Sequence, residues 1–540
     1  MSEVLKQPTV VGAPELKWKN STLTAYLPAI LAVGGAILLT LLRIRMGGEH
    51  FIDDGALMML ALACYLTAAV FHLTNLYAPS SVATKLGMWS ATLGVFFNLG
   101  SWGVRWIAAH DRELAILARN GYGPDQMPWF FRYIPFANLY DLSLAFAFGA
   151  GVTTLVIAHR KNFRFLGAIS LPLAALILLL ARFIGNEFID LPPVLDSYWR
   201  PIHVGIASLS YGVALVCFAI AVVYLLKDGV KTEAMAIWSS VFALSVFATI
   251  SRFSVFAFST FGTYSASTFL TTSSGRRMSI PLRVDIPYTG WLIVLSAALL
   301  VGAIVAFGKY LAKTDEFARV WGHRFLKLSL VAQGAAIAVL VSQIKSVTSL
   351  VERIDPRQYE KFGTFLAQQE GLEPAQIAQL SSPQLEAAAA SFVQARGSEL
   401  FLSLNANPVE LAALITAFAA TLFCIIFSFR TEHLRAALPS LEKIDSLMYK
   451  TAGVTFAGLA LLLMTGAIWA NESWGRYWGW DSKETGAFVA WLTYGAFLHT
   501  RISRGWTGRS SAYFAIVAFL LVIFTYLGVS YLLPGLHSYA

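Results

Sequence analysis

Long apolar runs, divided by short polar connections, recur along this chain from residue 24 to residue 532. Each run approaches the roughly 20 residues that a helix needs to cross a bilayer core. Inside hydrocarbon a helix satisfies its own backbone donors and acceptors, so the runs read as spans. The pattern predicts thirteen helices, at 24–43, 56–77, 86–109, 137–158, 164–184, 202–226, 234–257, 289–310, 325–345, 408–429, 444–470, 484–500 and 511–532. The short alternating segments of a membrane β-barrel do not occur. The expected fold is all-α, a polytopic transmembrane helix bundle.

The polar connections orient the bundle. Lys6, Lys17 and Lys19 precede the first helix, and HRKNFR (159–164), KDGVK (227–231), KYLAKTDEFARVWGHR (309–324), FRTEHLR (429–435) and HTRISRGWTGR (499–509) fall on the same side. Loops rich in Lys and Arg stay in the cytoplasm. The N-terminus is therefore expected inside and the C-terminus outside. Connections on the other side are poorer in Lys and Arg, as in FIDDG (51–55), with Arg276, Arg277 and Arg283 as the exception. Two outer segments exceed a turn: 259–288, rich in Ser and Thr, and 346–407, which reads as one or two short amphipathic helices.

Composition agrees with a membrane protein. Hydrophobic residues make up 57% of the 540 and charged residues 13%, about half the charge of a soluble domain. The net charge of +9 is explained by basic clusters in the inner connections, so no nucleic-acid partner is expected. The polar start has no small-residue cleavage site beside a short apolar core, and the first helix is expected to stay in the protein. Cys64, Cys217 and Cys424 lie singly within apolar runs. With no CxxC there is neither a zinc motif nor a redox pair, and these are expected to be buried small hydrophobes.

The chemistry concentrates in WGRYWGWDSKETGAFVAWLTYGAFLHTR (474–501). Helix 444–470 runs outward, which puts its Trp cluster at the outer surface. Asp481 and Glu484 have the spacing of a capping box. Trp474, Trp478 and Trp480 crowd one short loop beside Lys483. They fit either an interfacial aromatic belt or an apolar shelf for a large planar ligand. His203, in WRPIHVG, and His537, in LPGLHSY, flank the same surface. Two imidazoles over such a shelf can fill both axial positions of a haem iron, although ordinary hydrogen bonding is the default for either alone. His499 lies fifteen residues after Glu484, about 22 Å down the helix. His72 is comparable in depth on helix 56–77. Ionisable groups within spans are functional candidates, and a snorkelling interfacial histidine is the plain alternative.

With these residues in view, the chain resembles the CcsA (ResC) family of the Ccs, or System II, cytochrome c biogenesis pathway. WGRYWGWDSKE is similar to that family's Trp-rich "WWD" signature, continuing into AFLHTR. WRPIHVG, GLHSY, PFANLYDLSLAF (135–146) and IDSLMYKTAGVTFAGLALLLMTGAIWA also match. The resemblance covers 1–230 and 436–540, a CcsA-like core in two parts. Ser482 replaces the family's usual Pro, and Gly486 stands where an aromatic is common. Residues 231–435 stand as an insertion of about 200 residues that carries four helices and the outer loop at 346–407.

The resemblance implies that His203 and His537 are the outer axial ligands of haem b. It also implies that Trp474, Gly475, Trp478, Trp480, Asp481, Lys483 and Glu484 hold it. His499 would bind haem on its way across the membrane, with His72 as a weaker second ligand. Arg476 and Lys483 are cations beside the shelf, and either propionate pairing or plain interfacial charge would explain them. The implied reaction is a haem lyase's attachment of haem to apocytochrome c CXXCH segments. The implied partners are a CcsB (ResB)-like membrane protein and thiol-reducing proteins. The implied location is the bacterial inner membrane, with the Trp loop facing the periplasm. The alternatives are a haem chaperone or respiratory subunit without lyase activity, and a transporter whose Trp loop is only a belt.

Overall fold

In the computed structural model the described residues are 21–123, 130–188, 193–250, 255–271, 277–343, 351, 354–402 and 408–529. All thirteen expected helices form. They are α1 (Ser21–Met46), α2 (Asp54–Tyr77), α3 (Ser81–Arg119), α4 (Leu139–Ala158), α5 (Gly167–Ile184), α6 (Trp199–Lys227), α7 (Thr232–Thr249), α8 (Thr289–Lys313) and α9 (Glu316–Ser342). After three short helices follow α13 (Pro408–Ser428), a short α14 (Thr431–Ala437), α15 (Leu441–Trp474), α16 (Ser482–Arg504) and α17 (Arg509–Ile523). Among the described residues, eleven helices are long and apolar enough to cross a membrane, and the protein is a multi-pass membrane protein. The remaining two long helices, α3 and α16, are less apolar. Arg105 is buried within α3, and α16 begins with Lys483 and Glu484 and ends with Arg501 and Arg504.

Several helices outrun their apolar runs. The charged stretch expected as an inner connection at 309–324 is mostly helical. Asp315 caps α9 by accepting from Ala318 N, and only Thr314 and Asp315 separate α8 from α9. Hydrophobicity marks where a helix meets lipid, whereas capping marks where it ends.

The basic end, the one expected to be inner, is laced by cross-links. Arg501 pairs with Asp445 through both guanidinium nitrogens, Arg509 with Asp228 (2.6 Å), and Lys227 donates to the Arg435 carbonyl (2.6 Å). At the opposite end Arg105, fully buried, pairs with Asp141 and lies 3.5 Å from Asp54. It also donates to the Asn186 carbonyl at 2.7 Å, and Tyr140 donates to Asp54 at 2.8 Å. One guanidinium thus joins α2, α3, α4 and the 185–188 connection. A buried charge persists only when it is paired and hydrogen-bonded in this way.

The outer segments hold structure that the apolar pattern does not foretell. Residues 259–288 contain a hairpin, β1 (Tyr264–Thr271) against β2 (Arg277–Ile286), with β3 (Leu400–Phe401) on the free edge of β1. Tyr264, Ala266, Thr268 and Leu270 are buried in period-two alternation, as are Ile280, Leu282, Val284 and Ile286. The segment expected as one or two helices forms three: α10 (Tyr359–Gln369), α11 (Pro374–Ile377) and α12 (Ser382–Arg396). Arg283, on the outer side against the charge rule, donates to the Ser265 carbonyl (2.6 Å) and lies 3.9 Å from Glu410. Its charge serves this small outer layer. Arg276 lies outside the described residues, as does the side chain of Arg277.

Candidate functional site

α6 and α15 pack along each other and set one wall of a cleft at the end opposite the basic one, the end expected to be outer. Arg200, His203, Ala207 and Tyr211 of α6 all line it, because residues three or four apart share a helix face. Gly466 of α15 faces His203 so closely that a Cβ there would lie 2.7 Å from the ring's Cε1. His203 Nδ1 donates to the Leu462 carbonyl at 3.0 Å. An acceptor-only carbonyl requires the proton on Nδ1, so in the neutral ring Nε2 carries the lone pair, the state in which imidazole is a metal ligand. Trp469 is 5.7 Å from the imidazole, centroid to centroid.

The Trp loop closes the opposite wall. α15 ends at Trp474, and Gly475 follows with φ +69°, its N–H donating to the Asn471 carbonyl. That left-handed position suits glycine and turns the chain back over the cleft. Trp474, Tyr477 and Trp478 line the cleft with Trp469, and the Trp469 and Trp474 rings lie 6.4 Å apart. The expected capping box forms, with Asp481 accepting from Lys483 N at 3.0 Å. Glu484 accepts from Asp481 N (3.1 Å) and from Gly479 N (2.9 Å). Its carboxylate therefore bridges the amides on either side of Trp480, whose φ is +56°. Trp480 is 69% exposed and packs edge-on against Trp478 outside the cleft lining.

The cleft has a cavity volume of about 140 Å³ and reaches the start of α4 at Asn138 and the π-helical turn after α17 at Tyr526. Asn138 caps α4 by accepting from Asp141 N (3.0 Å) and donates to the Glu187 carbonyl (3.1 Å). Tyr526 shares a 2.5 Å hydrogen bond with Ser143. Two indole N–H groups of the lining, on Trp469 and Trp478, are buried and have no hydrogen-bond partner among the described residues. Buried donors of this kind ordinarily find an acceptor.

The sequence-predicted residues therefore divide. His203, Trp474, Trp478, Lys483 and Glu484 meet at one cleft. Gly475 and Asp481 shape its backbone, and Trp480 points away. His537 lies outside the described residues. Arg476 is exposed and lies over Gly479 rather than in the lining. His499 is on the exposed face of α16, two residues from the Arg501–Asp445 pair at the inner end. His72 is 2% exposed, and a Cβ on Gly167 or Gly87 would lie 2.4 or 3.3 Å from its ring. That imidazole is sealed between α2, α3 and α5, with no space beside it for a macrocycle. Trp469, Arg200 and Tyr526 were not singled out from sequence. Trp469 and Arg200 stand in quoted motifs, IDSLMYKTAGVTFAGLALLLMTGAIWA and WRPIHVG, but only packing turns them toward one space.

The sequence profile of the family described as Cytochrome C assembly protein matches residues 136–279 and 407–537, about half of the chain. It passes over 280–406 and takes in His203, the Trp loop, His499 and His537. The chain is 57% identical over 98 residues to "Cytochrome c biogenesis protein CcsA" of Prochlorococcus marinus (strain MIT 9515), which covers 18% of this chain and 31% of that protein. It is 52% identical over 98 residues to the CcsA of Synechococcus sp. (strain CC9902), covering 18% and 32%. The match thus spans about a third of the length of these relatives. With a profile match across half its length, the chain belongs to the cytochrome c assembly protein family.

Proposed function

We propose that this protein acts in cytochrome c biogenesis by holding haem b in the outer cleft, with His203 as one axial ligand, and presenting it to apocytochrome c. The observation that carries the reading is the His203 imidazole, held by the Leu462 carbonyl in the tautomer that leaves Nε2 basic, on the wall of a cleft built with Trp469, Trp474 and Trp478. The walls suit a flat apolar macrocycle. The orphaned indole N–H groups suit a ligand that brings its own acceptors.

His537, on the segment after α17, is the second axial ligand in this proposal. Two imidazoles fill both axial positions and keep oxygen from the iron. The residues present act by position. The Trp walls exclude water, His203 fixes the iron, and the capped turn 475–484 keeps the shelf rigid. The attachment proposed for the family adds each CXXCH thiol S–H across one haem vinyl C=C. The sulfur bonds to one vinyl carbon and the hydrogen goes to the other, so the addition itself consumes no oxidant or reductant. A CcsB-like partner, a bacterial inner-membrane location and a periplasmic Trp loop belong to the same proposal. So does the role of 231–435 as an added unit; the family match passes over 280–406 but runs through 231–279 and 407–435. His499, near the inner end, is proposed as a separate stop for haem in transit. His72 is left out because its ring is sealed.

The test is a visible spectrum of the purified protein beside His203→Ala, His537→Ala and His499→Ala. The reading expects reduced low-spin haem bands that the first two variants lose or shift. The His499 variant should lower haem loading while leaving the band positions of the outer site. Haem-free wild type from haem-replete cells would refute the proposal and favour the aromatic belt.

A further inference from the structure

The cations at the basic end are unequally committed. Arg501, Arg509, Arg319 and Lys309 pair with Asp445, Asp228, Glu233 and Asp315. Lys227 and Arg435 are tied to backbone carbonyls. A pocket of about 510 Å³ at the same end gathers cations of a different kind. One wall is the connection between α4 and α5, with Arg160, Lys161 and the buried ring of Phe163. The other is the first turns of α15, with Lys443, Leu447 and Lys450. The four cations are exposed, and none has a side-chain hydrogen bond or ion pair among the described residues. Glu442, the carboxylate of the lining, accepts from its own amide and from the Ser440 hydroxyl, so it serves the start of α15.

Position along α15 tells what kind of anion these cations meet. Lys450 lies seven residues after Lys443, about 10 Å further along the helix, inside the apolar run 444–470. Beyond it Val454, Leu461 and Met464 keep to the same helix face and are 59%, 51% and 63% exposed. A cationic pocket that leads into an uncovered apolar stripe matches an amphiphile with an anionic head and a hydrocarbon tail. Basic pockets between spans are where anionic lipid headgroups settle, and a lysine stem can lie on apolar surface while its ammonium reaches the interface. We infer that this pocket is a headgroup site for an anionic phospholipid. Arg160, Lys161, Lys443 and Lys450 hold the phosphodiester, and an acyl chain follows the stripe along α15. The site is separate from the Trp-loop cleft and stands whether or not haem binds there.

The experiment titrates the full-length protein in detergent with dioleoylphosphatidylglycerol or dioleoylphosphatidylcholine, and native mass spectrometry reads the bound lipid. The two share chains and phosphodiester, and the second adds a choline cation. Wild type is expected to bind the anionic lipid at least about tenfold more tightly, since each Lys or Arg at a lipid surface contributes about fivefold. Lys443→Gln with Lys450→Gln should weaken that binding by about 25-fold on the same scale. Lys313→Gln with Lys327→Gln removes as much charge from exposed positions outside the lining and should leave the preference intact. Glycerol 3-phosphate, a phosphate head without chains, should not displace the lipid. Equal affinity of wild type for the two lipids overturns the inference, and this arm needs no variant to fold. Equal losses in the two double variants overturn it too, and assign the preference to the diffuse charge of this end. Displacement by glycerol 3-phosphate gives the pocket to a free phosphate and overturns the lipid assignment.

Discussion

Gly466→Ala separates the support of His203 from the stability of the bundle. A Cβ at 466 would lie 2.7 Å from Cε1 and 3.0 Å from Nδ1 of the imidazole. Carbon atoms in contact sit about 3.5–4.0 Å apart, so the ring must retreat by roughly 1 Å. The Nδ1 to Leu462 hydrogen bond, 3.0 Å long, would then stretch past the distance at which such bonds count. The loss is about 1 kcal/mol for the bond itself, near fivefold in an equilibrium constant. Removing the group that orients a metal-binding imidazole costs roughly 10–100-fold in metal affinity. The helix gains, since Ala is favoured over Gly within a helix by about 1 kcal/mol. Haem release should therefore quicken by between about fivefold and a hundredfold, while the thermal midpoint in detergent holds or rises. Release to apomyoglobin and a fluorescence melt on the same preparation read both quantities, with His203→Ala as the limiting case. Unchanged haem release in Gly466→Ala, at an unchanged midpoint, would refute the placement of the His203 ring as an iron ligand.

Three further outcomes follow from the packing. Arg105→Gln strands the buried carboxylates of Asp54 and Asp141, and should destabilise the protein by about 3–5 kcal/mol; a melt within error of wild type would show the network to be dispensable. Asp481→Ala removes the α16 cap and should cost about 1 kcal/mol, with Asp481→Ser recovering most of it; hydrogen exchange at 482–485 should rise in the first variant and not the second. At the inner turn between α8 and α9, the Lys309 ammonium, 2.7 Å away, holds the Asp315 carboxyl below the usual carboxylate range. A group so depressed stabilises the fold above its unfolded pKa, and that contribution is lost as pH falls through the folded value. Asp315→Asn should flatten the decline of the melting midpoint as pH is lowered toward about 3, and an unchanged slope would remove Asp315 from the acid response.

The sequence by itself determined the thirteen helices, because a run of about 20 apolar residues has one low-energy form in hydrocarbon. It determined the Asp481–Glu484 cap, since capping is a local contact over three residues. It also marked the Trp loop and His203 as neighbours of one surface through the alternation of spans. The outer hairpin was written in the period-two alternation of 264–270 and 280–286, but Ser and Thr on its other face hid that signal.

Only the tertiary structure decided which of these residues share a space. Trp480 and Trp478 are two apart in sequence, and a left-handed turn bridged by Glu484 sends one to solvent and the other to the cleft. His203 reads as a ligand candidate at the outer surface, and His72 as a weaker one near the inner end of its helix. Packing seals His72 against Gly87 and Gly167 and opens His203 beside Gly466. Sequence position marks Arg476 as a cation beside the Trp loop and does not mark Arg200, yet helix packing turns only Arg200 into the lining. The reason is geometric. Spacing along a helix fixes which residues share a face, but the partner that face meets depends on contacts from α4, α15, α16 and α17, which lie tens to hundreds of residues away in the chain.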